Sequence, residues 1–173
     1  MKKIVVITGK AGAGKSTVCR KISENNPHVL YIDGDYYAES CLADSQVIIR
    51  MNDQLRGVLG KQKLSSKEIA SAIHKEDAVS NVVFSLFIKE VEIKILETIN
   101  SIESDNVIIL LDWFLLEKSE LFNIADIRIM LECNQEIRLN RVIKRGNMKE
   151  TTFFKNEKSF FFACFEQVEK YTQ

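Results

Sequence analysis

The stretch that decides the fold is residues 4–17, which read IVVITGKAGAGKST. Its first part, residues 4–7, is an apolar β-branched run of the kind found in parallel strands that are buried on both faces. Its second part matches the pattern G-x-x-x-x-G-K-[ST] over residues 9–16. Glycines permit the positive φ angles with which backbone N–H groups can surround a phosphate oxygen, and a helix N-terminus adds partial positive charge. The stretch therefore predicts a strand, a phosphate-binding loop and a helix.

The loop residues have separate predicted roles. We expect Lys15 to reach the β- and γ-phosphates of a purine nucleoside triphosphate and the Ser16 hydroxyl to ligate Mg²⁺. A regulatory GTPase normally carries a guanine-reading N-K-x-D segment, and this sequence contains none. ATP and Mg²⁺ are therefore the predicted cofactors. The predicted nucleotide-binding residues are Gly9, Ala11, Gly12, Ala13, Gly14, Lys15, Ser16 and Thr17.

The rest of the chain alternates between strand-like and helix-like patterns. Predicted strands cover residues 4–7, 28–32, 107–112 and 127–131, and predicted helices run from about 15 to before Pro27, through most of 44–101, over 135–144 and from about 157 to 171. This alternation predicts an α/β fold with a parallel sheet flanked by helices, the three-layer P-loop architecture, in one domain of residues 1–173. We expect residues 40–101 to form a helical acceptor-binding region and residues 145–158 to form a lid.

Three acids follow predicted strands, at the sheet edge where ligands bind in open parallel sheets. Asp35 is the candidate general base that takes the proton of an acceptor hydroxyl, and Asp33 is expected to orient it or to hold a metal-bound water. Asp112 is the candidate acid that holds Mg²⁺ through water. An Asp-Gly turn and a helix N-cap are the structural alternatives for these acids. Trp113 and Phe114 follow at once and are candidates for a wall of the acceptor site.

Three arginines lie three and four residues apart on the predicted helix 135–144 and at its end. Arg141 and Arg145 are candidate catalytic residues, because a guanidinium facing the nucleotide would neutralise charge on the transferring phosphoryl group. Arg138 we expect to belong to a solvated, charge-rich helix face.

Composition restricts the partners. Lys plus Arg and Asp plus Glu both number 24, so the sequence has no basic excess of the kind that nucleic-acid binding usually requires. No stretch reaches the roughly 18 apolar residues of a membrane span. The four cysteines are widely spaced, which favours reduced thiols over disulfides. We therefore expect a cytoplasmic protein with a small-molecule substrate and neither nucleic acid nor membrane as a partner.

These motifs together resemble the dephospho-CoA kinase family, within the wider P-loop nucleoside-monophosphate-kinase group. The similarity rests on residues 8–17, on the D-G-D of residues 33–35, on DWFLLE at 112–117 and on RVIKR at 141–145. It implies ATP-dependent phosphorylation of the 3′-hydroxyl of dephospho-CoA, a step of coenzyme A biosynthesis. It also implies that Asp35 activates that hydroxyl and that Arg141 and Arg145 contact ATP phosphates.

The sequence departs from the family pattern in three places. Phe114 stands where the family has proline, and Phe87 lies near the position of a His-Pro pair. The sequence also stops at Gln173, right after the predicted helix 157–171, where the family continues into a fifth strand and a closing helix, so we expect a shortened or truncated relative. Other acceptors thus stay open, because D-G-D also resembles adenylylsulfate and gluconate kinases and the arginine pattern would suit a uridine-kinase-like enzyme. A nucleotide-binding protein with little turnover is the alternative outside the kinases.

Overall fold

The computed structural model of the protein describes residues 1–60, 63–72, 78–146, 149–159 and 169–172. Its elements are β1 (Lys3–Thr8), α1 (Lys15–Asn25), β2 (Val29–Asp33), α2 (Gly34–Ala43), α3 (Ser45–Leu59), α4 (Ser66–Ala72), α5 (Ala78–Ser101), β3 (Ile108–Asp112), a 3₁₀ turn (Leu116–Lys118), α6 (Glu120–Asn123), β4 (Ile127–Glu132), α7 (Gln135–Lys144), α8 (Glu150–Ser159) and β5 (Glu169–Thr172). They form two compact units. The first contains Met1–Asp33, Ser104–Glu117 and the described residues from Leu121 onward, and the second contains Gly34–Glu103 and Lys118–Glu120.

The first unit is built on a parallel sheet with the strand order β2-β3-β1-β4-β5. The predicted α/β fold, with a parallel sheet flanked by helices, is confirmed. Register pairs Asp112 with Ile7 of β1 on one side and with Asp33 of β2 on the other. Because all these strands run in one direction, their carboxyl ends bring the phosphate loop, Asp33 and Asp112 to the same edge of the sheet.

The predicted helix over residues 157–171 is wrong over residues 169–171, whereas residues 157–159 are helical and residues 160–168 lie outside the described part of the chain. Helix α8 ends at Ser159, and Glu169–Thr172 form β5, which pairs in parallel with β4. The fifth strand that the family pattern requires is therefore present. It escaped prediction because EKYT is short and largely polar, as an edge strand can be, whereas the inner strands are continuous apolar runs.

The apolar runs of the inner strands build the core that supports the loop. Side chains from β1, α1, β3 and β4 form one buried cluster, Val5, Ile7, Ala13, Cys19, Leu110 and Leu131. Ala13 belongs to the loop itself, and its methyl group is 1% exposed. The phosphate loop is thus anchored in the sheet core through one of its own side chains.

The second unit consists mainly of helices α2–α5. The predicted four-residue repeat along α5 is confirmed, since Val83, Phe87, Val91, Ile95 and Ile99 are at most 3% exposed. Arg50 of α3 donates two hydrogen bonds, of 3.3 and 2.7 Å, to the buried carboxylate of Glu90 on α5. Among the described residues, no helix is both long enough and apolar enough to cross a membrane.

The described cysteines, Cys19, Cys41 and Cys133, are free thiols, and Cys164 lies outside the described residues. Burial raises the pKa of Cys19 to about 12 and that of Cys41 to about 11, so both stay protonated at neutral pH. The thiolate is the reactive form. We expect iodoacetamide at pH 8 to modify the half-buried Cys133 at least about tenfold faster than Cys19 or Cys41, as measured by peptide mass mapping.

The control for this labelling is the same reaction in denaturant, where all thiols should react alike. Because the raised pKa values lie near 11 and 12, only a small fraction of Cys19 and Cys41 is thiolate between pH 7 and 9, and both should stay less reactive than Cys133 over this range. Equal labelling of Cys19 and Cys133 in the folded protein would contradict the buried position of α1 on the sheet.

Candidate phosphate-binding site

The loop between β1 and α1 has the close backbone packing for which glycine is needed. Gly9 has φ +139°, and a Cβ on it would lie 2.4 Å from the Leu131 carbonyl oxygen. Gly12 has φ +78°, and a Cβ there would lie 2.6 Å from the carbonyl oxygen of Arg138. Side chains cannot fit at such distances. The loop is therefore held between β4 and α7 at two points.

Helix α1 begins without a side-chain cap from its own N-cap residue in the described part of the chain. Its N-cap residue is Gly14, which contributes no side-chain hydrogen bond, and its first turn contains no acidic residue. By contrast, Asp44 caps α3 and Asn134 caps α7 with their side-chain oxygens. The first N–H groups of a helix need partners, and the macrodipole makes an anion a favourable one. The open end of α1, following the loop, is suited to phosphate.

Lys15 and Ser16 open this helix. The Lys15 ammonium donates a hydrogen bond of 2.9 Å to the carbonyl oxygen of Gly9, so the side chain folds back over the loop. Ala13 N–H donates to the Lys10 carbonyl oxygen at 3.1 Å, which closes a turn inside the loop. Thr17, the last predicted nucleotide-binding residue, is exposed. The loop geometry thus places a cation and a set of N–H groups together.

Ser16 and Asp112 meet across the sheet edge. The Ser16 hydroxyl donates a hydrogen bond of 2.6 Å to Oδ2 of Asp112, whose residue is only 4% exposed. The Tyr31 hydroxyl lies 3.5 Å from the same oxygen. Burial raises the pKa of Asp112, while the Lys15 ammonium and the Ser16 hydrogen bond act in the opposite direction. The sequence predicted Ser16 and Asp112 here but not Tyr31.

The predicted acids at the end of β2 lie near the sheet edge, and a hydrogen bond joins the segment after β3 to the end of β1. Asp33 ends β2, opposite Asp112 in register, and Asp35 is an exposed residue in the first turn of α2, in the second unit. The Thr8 hydroxyl donates a hydrogen bond to the Glu117 carboxylate, and Thr8 directly precedes the loop. Glu117 thereby links the DWFLLE segment to the end of β1.

Trp113 is 1% exposed, and Phe114 is 53% exposed. The indole Nε1 of Trp113 is buried and donates to no acceptor among the described residues. Full burial means that Trp113 faces no solvent-filled space in this structure. Its predicted place in the wall of an acceptor site stays a prediction.

The three arginines of α7 differ in their positions. Arg141 is half-buried, and its Nη1 donates to the Gly12 carbonyl oxygen at 3.2 Å. Arg145 caps the C-terminus of α7 and is exposed. The expectation for Arg138 was wrong, because this residue is 4% exposed and its Nη1 lies 3.3 Å from the Ala11 carbonyl oxygen. The sequence does contain one indication of this burial, because Arg138 lies four residues before the apolar Val142 and therefore on the same face of the helix.

A parallel sheet with the order 2-3-1-4-5, a glycine loop after the central strand and an acid paired with the loop serine define a protein of the P-loop nucleotide-binding fold. Residues 3–160 match the dephospho-CoA kinase family. The chain therefore belongs to that family, whose members are transferases that use ATP to phosphorylate an alcohol group of dephospho-CoA.

Two solved structures show the same fold. The chain is similar to the protein TT1252 from Thermus thermophilus, with a TM-score of 0.70 and 18% identity over 91% of this chain and 80% of that one. It is also similar to dephospho-CoA kinase from Campylobacter jejuni, with a TM-score of 0.60 and 16% identity over 100% of this chain and 89% of that one. At these identities the likeness establishes the fold alone. No curated protein matches the sequence.

Proposed function

We propose that this chain transfers the γ-phosphoryl group of ATP to the 3′-hydroxyl of dephospho-CoA, with Mg²⁺ as its metal and the cytoplasm as its location. The observation that carries the proposal is the hydrogen bond from Ser16 to Asp112, beside Lys15 and the open N-terminus of α1. These groups supply what a triphosphate needs, namely backbone N–H donors, an ammonium and hard oxygen ligands for a divalent cation.

The residues at this edge fit Mg²⁺. The Ser16 hydroxyl and the Asp112 carboxylate are oxygen ligands, and no described group of three or more His, Cys, Asp or Glu could form a complete protein cage for a metal. Mg²⁺ usually keeps several waters and shares substrate phosphates, so a site with few protein ligands suits it. When bound with ATP, Mg²⁺ would neutralise phosphate charge during transfer. Ser16 and Asp112 are the residues that would hold it.

The transfer step uses the chain's own charged groups. The acceptor oxygen forms a bond to the γ-phosphorus as the bond from that phosphorus to the bridging oxygen breaks, and ADP leaves. Asp35 takes the proton of the acceptor hydroxyl, and Lys15 stabilises the charge that develops on the phosphates. Arg141, now bonded to the loop at Gly12, adds positive charge. The predicted lid of residues 145–158, which begins with Arg145 and whose residues 147 and 148 lie outside the described part of the chain, would close over the nucleotide.

The partners in this proposal are small molecules. The equal numbers of basic and acidic residues, 24 each, leave no charge excess to attract nucleic acid or an anionic membrane surface. The helical region of residues 40–101, which belongs to the second unit, would bind the acceptor.

The test is ADP release from Mg-ATP with dephospho-CoA, set beside uridine, gluconate and nucleoside monophosphates. We expect a rate that rises only with dephospho-CoA. Stimulation by a different hydroxyl compound would mean that the protein is a kinase with an acceptor other than dephospho-CoA. A slow rate unaffected by every acceptor would contradict the proposal and favour a nucleotide-binding protein with little turnover.

A further inference from the structure

The side chain of Arg138 is a buried cation in contact with the phosphate loop. Its Nε donates to the carbonyl oxygen of Cys133 at 3.0 Å, and its Nη1 donates to that of Ala11 at 3.3 Å. Its guanidinium carbon lies 5.4 Å from the ring centroid of Phe153, which is 1% exposed. Withdrawing a guanidinium from water is costly, so these contacts must offset a large loss of hydration.

The contact with Ala11 fixes the direction of the next N–H group. The described peptide bonds include no cis bond, and in a trans peptide the carbonyl oxygen and the following N–H point in opposite directions. Because the Arg138 guanidinium holds the Ala11 carbonyl, the N–H of Gly12 is directed away from that guanidinium. That N–H belongs to the phosphate-binding pattern.

The helix backbone reinforces the same arrangement. A Cβ on Gly12 would lie 2.6 Å from the Arg138 carbonyl oxygen and 3.0 Å from its Cα, so the first half of α7 packs directly on the loop. Arg138 therefore fixes the loop both through its backbone and through its side chain. Arg141 also reaches the loop, at Gly12, but it is half-buried, so its guanidinium is less enclosed than that of Arg138.

We propose that Arg138 is a positioning residue of the phosphate loop, which holds the Ala11 peptide in the orientation that presents the Gly12 N–H to a phosphate. Phe153 of α8 holds the guanidinium in place, so α8 supports the loop through this side chain. Arg138 does not contact the reacting atoms in this scheme. Its effect is on phosphate binding.

The test measures the affinity for Mg-ADP and for tripolyphosphate by isothermal titration calorimetry, which does not depend on turnover or on the acceptor. We expect Arg138→Met to weaken both by roughly tenfold to a hundredfold, since hydrogen bonds from a charged donor would be lost. Arg138→Lys should lie between Arg138→Met and the wild type, because one ammonium cannot reproduce a planar fork that reaches two carbonyls. The affinity for dephospho-CoA should change by less than about twofold in both variants.

Lys144→Met is the matched control, because Lys144 is an exposed cation on the same helix, and its affinities should equal those of the wild type. A residue that only stabilised the fold would lower the midpoint of thermal unfolding and leave the affinities of the folded protein unchanged. The proposal is overturned if folded Arg138→Met binds Mg-ADP within about twofold of the wild type, or if Arg138→Lys matches the wild type. If Arg138→Met does not fold, Arg138→Lys alone decides by the same criterion.

Discussion

Replacement of Lys15 by alanine is expected to reduce phosphoryl transfer by at least about a thousandfold. Lys15 is the first residue of α1, and its ammonium lies over the loop at 2.9 Å from the Gly9 carbonyl oxygen. Negative charge grows on the oxygen that bridges the β- and γ-phosphates, because this oxygen leaves with ADP as its bond to the γ-phosphorus breaks. Without the ammonium, that charge would be stabilised only by backbone N–H groups, the arginines of α7 and Mg²⁺ when it is bound.

The measurement is the steady-state rate of ADP formation with saturating dephospho-CoA, together with the midpoint of thermal unfolding. The matched control is Lys21→Ala, an exposed lysine on the same helix, which should retain the wild-type rate. A near-normal rate in Lys15→Ala, with Lys21→Ala also normal, would show that the loop of residues 9–16 does not hold the transferred phosphate.

Asp35→Asn is expected to lower kcat by roughly a hundredfold to ten-thousandfold while the Kd for Mg-ATP changes by less than about twofold. An amide has nearly the shape of the carboxylate but cannot take a proton from the acceptor hydroxyl. A general base acts only in the transition state, so its loss should affect turnover and spare ground-state nucleotide binding.

The comparison needs two further variants. Asp105→Asn is the same chemical change at an exposed position between α5 and β3, outside the proposed acceptor-binding region, and it should leave kcat unchanged. Asp33→Asn tests the neighbouring acid, which ends β2 opposite Asp112. Equal losses of kcat and of Mg-ATP affinity in Asp35→Asn would point to a structural role. A selective loss of kcat in Asp33→Asn instead would identify Asp33, and not Asp35, as the general base.

Local sequence patterns were sufficient to predict the strands and helices whose own apolar residues form the buried core. The inner strands are apolar on both faces, and α5 repeats apolar residues every four positions, so their type follows from periodicity alone. Strand β5 was not predicted, because Glu169–Thr172 carry no apolar pattern and form a strand by pairing with β4.

Some residues of the candidate site could likewise be predicted from local sequence, and others could not. Lys15, Ser16 and Asp112 were predictable because a short motif and a strand end fix their chemistry and their approximate place. Arg138 was not, since its burial depends on Phe153 of α8 and on the approach of Gly12, both distant in sequence. Glu117 could be named from its motif, but only the fold shows that it receives the Thr8 hydroxyl.

The solitary tryptophan gives the protein an internal optical reporter. Trp113 is the one tryptophan of the sequence, and it directly follows Asp112. Its indole is shielded from water, and its N–H has no acceptor among the described residues. All tryptophan emission therefore originates one residue from the carboxylate that meets Ser16, and a spectral change on adding Mg-nucleotide can be assigned to this place without any label.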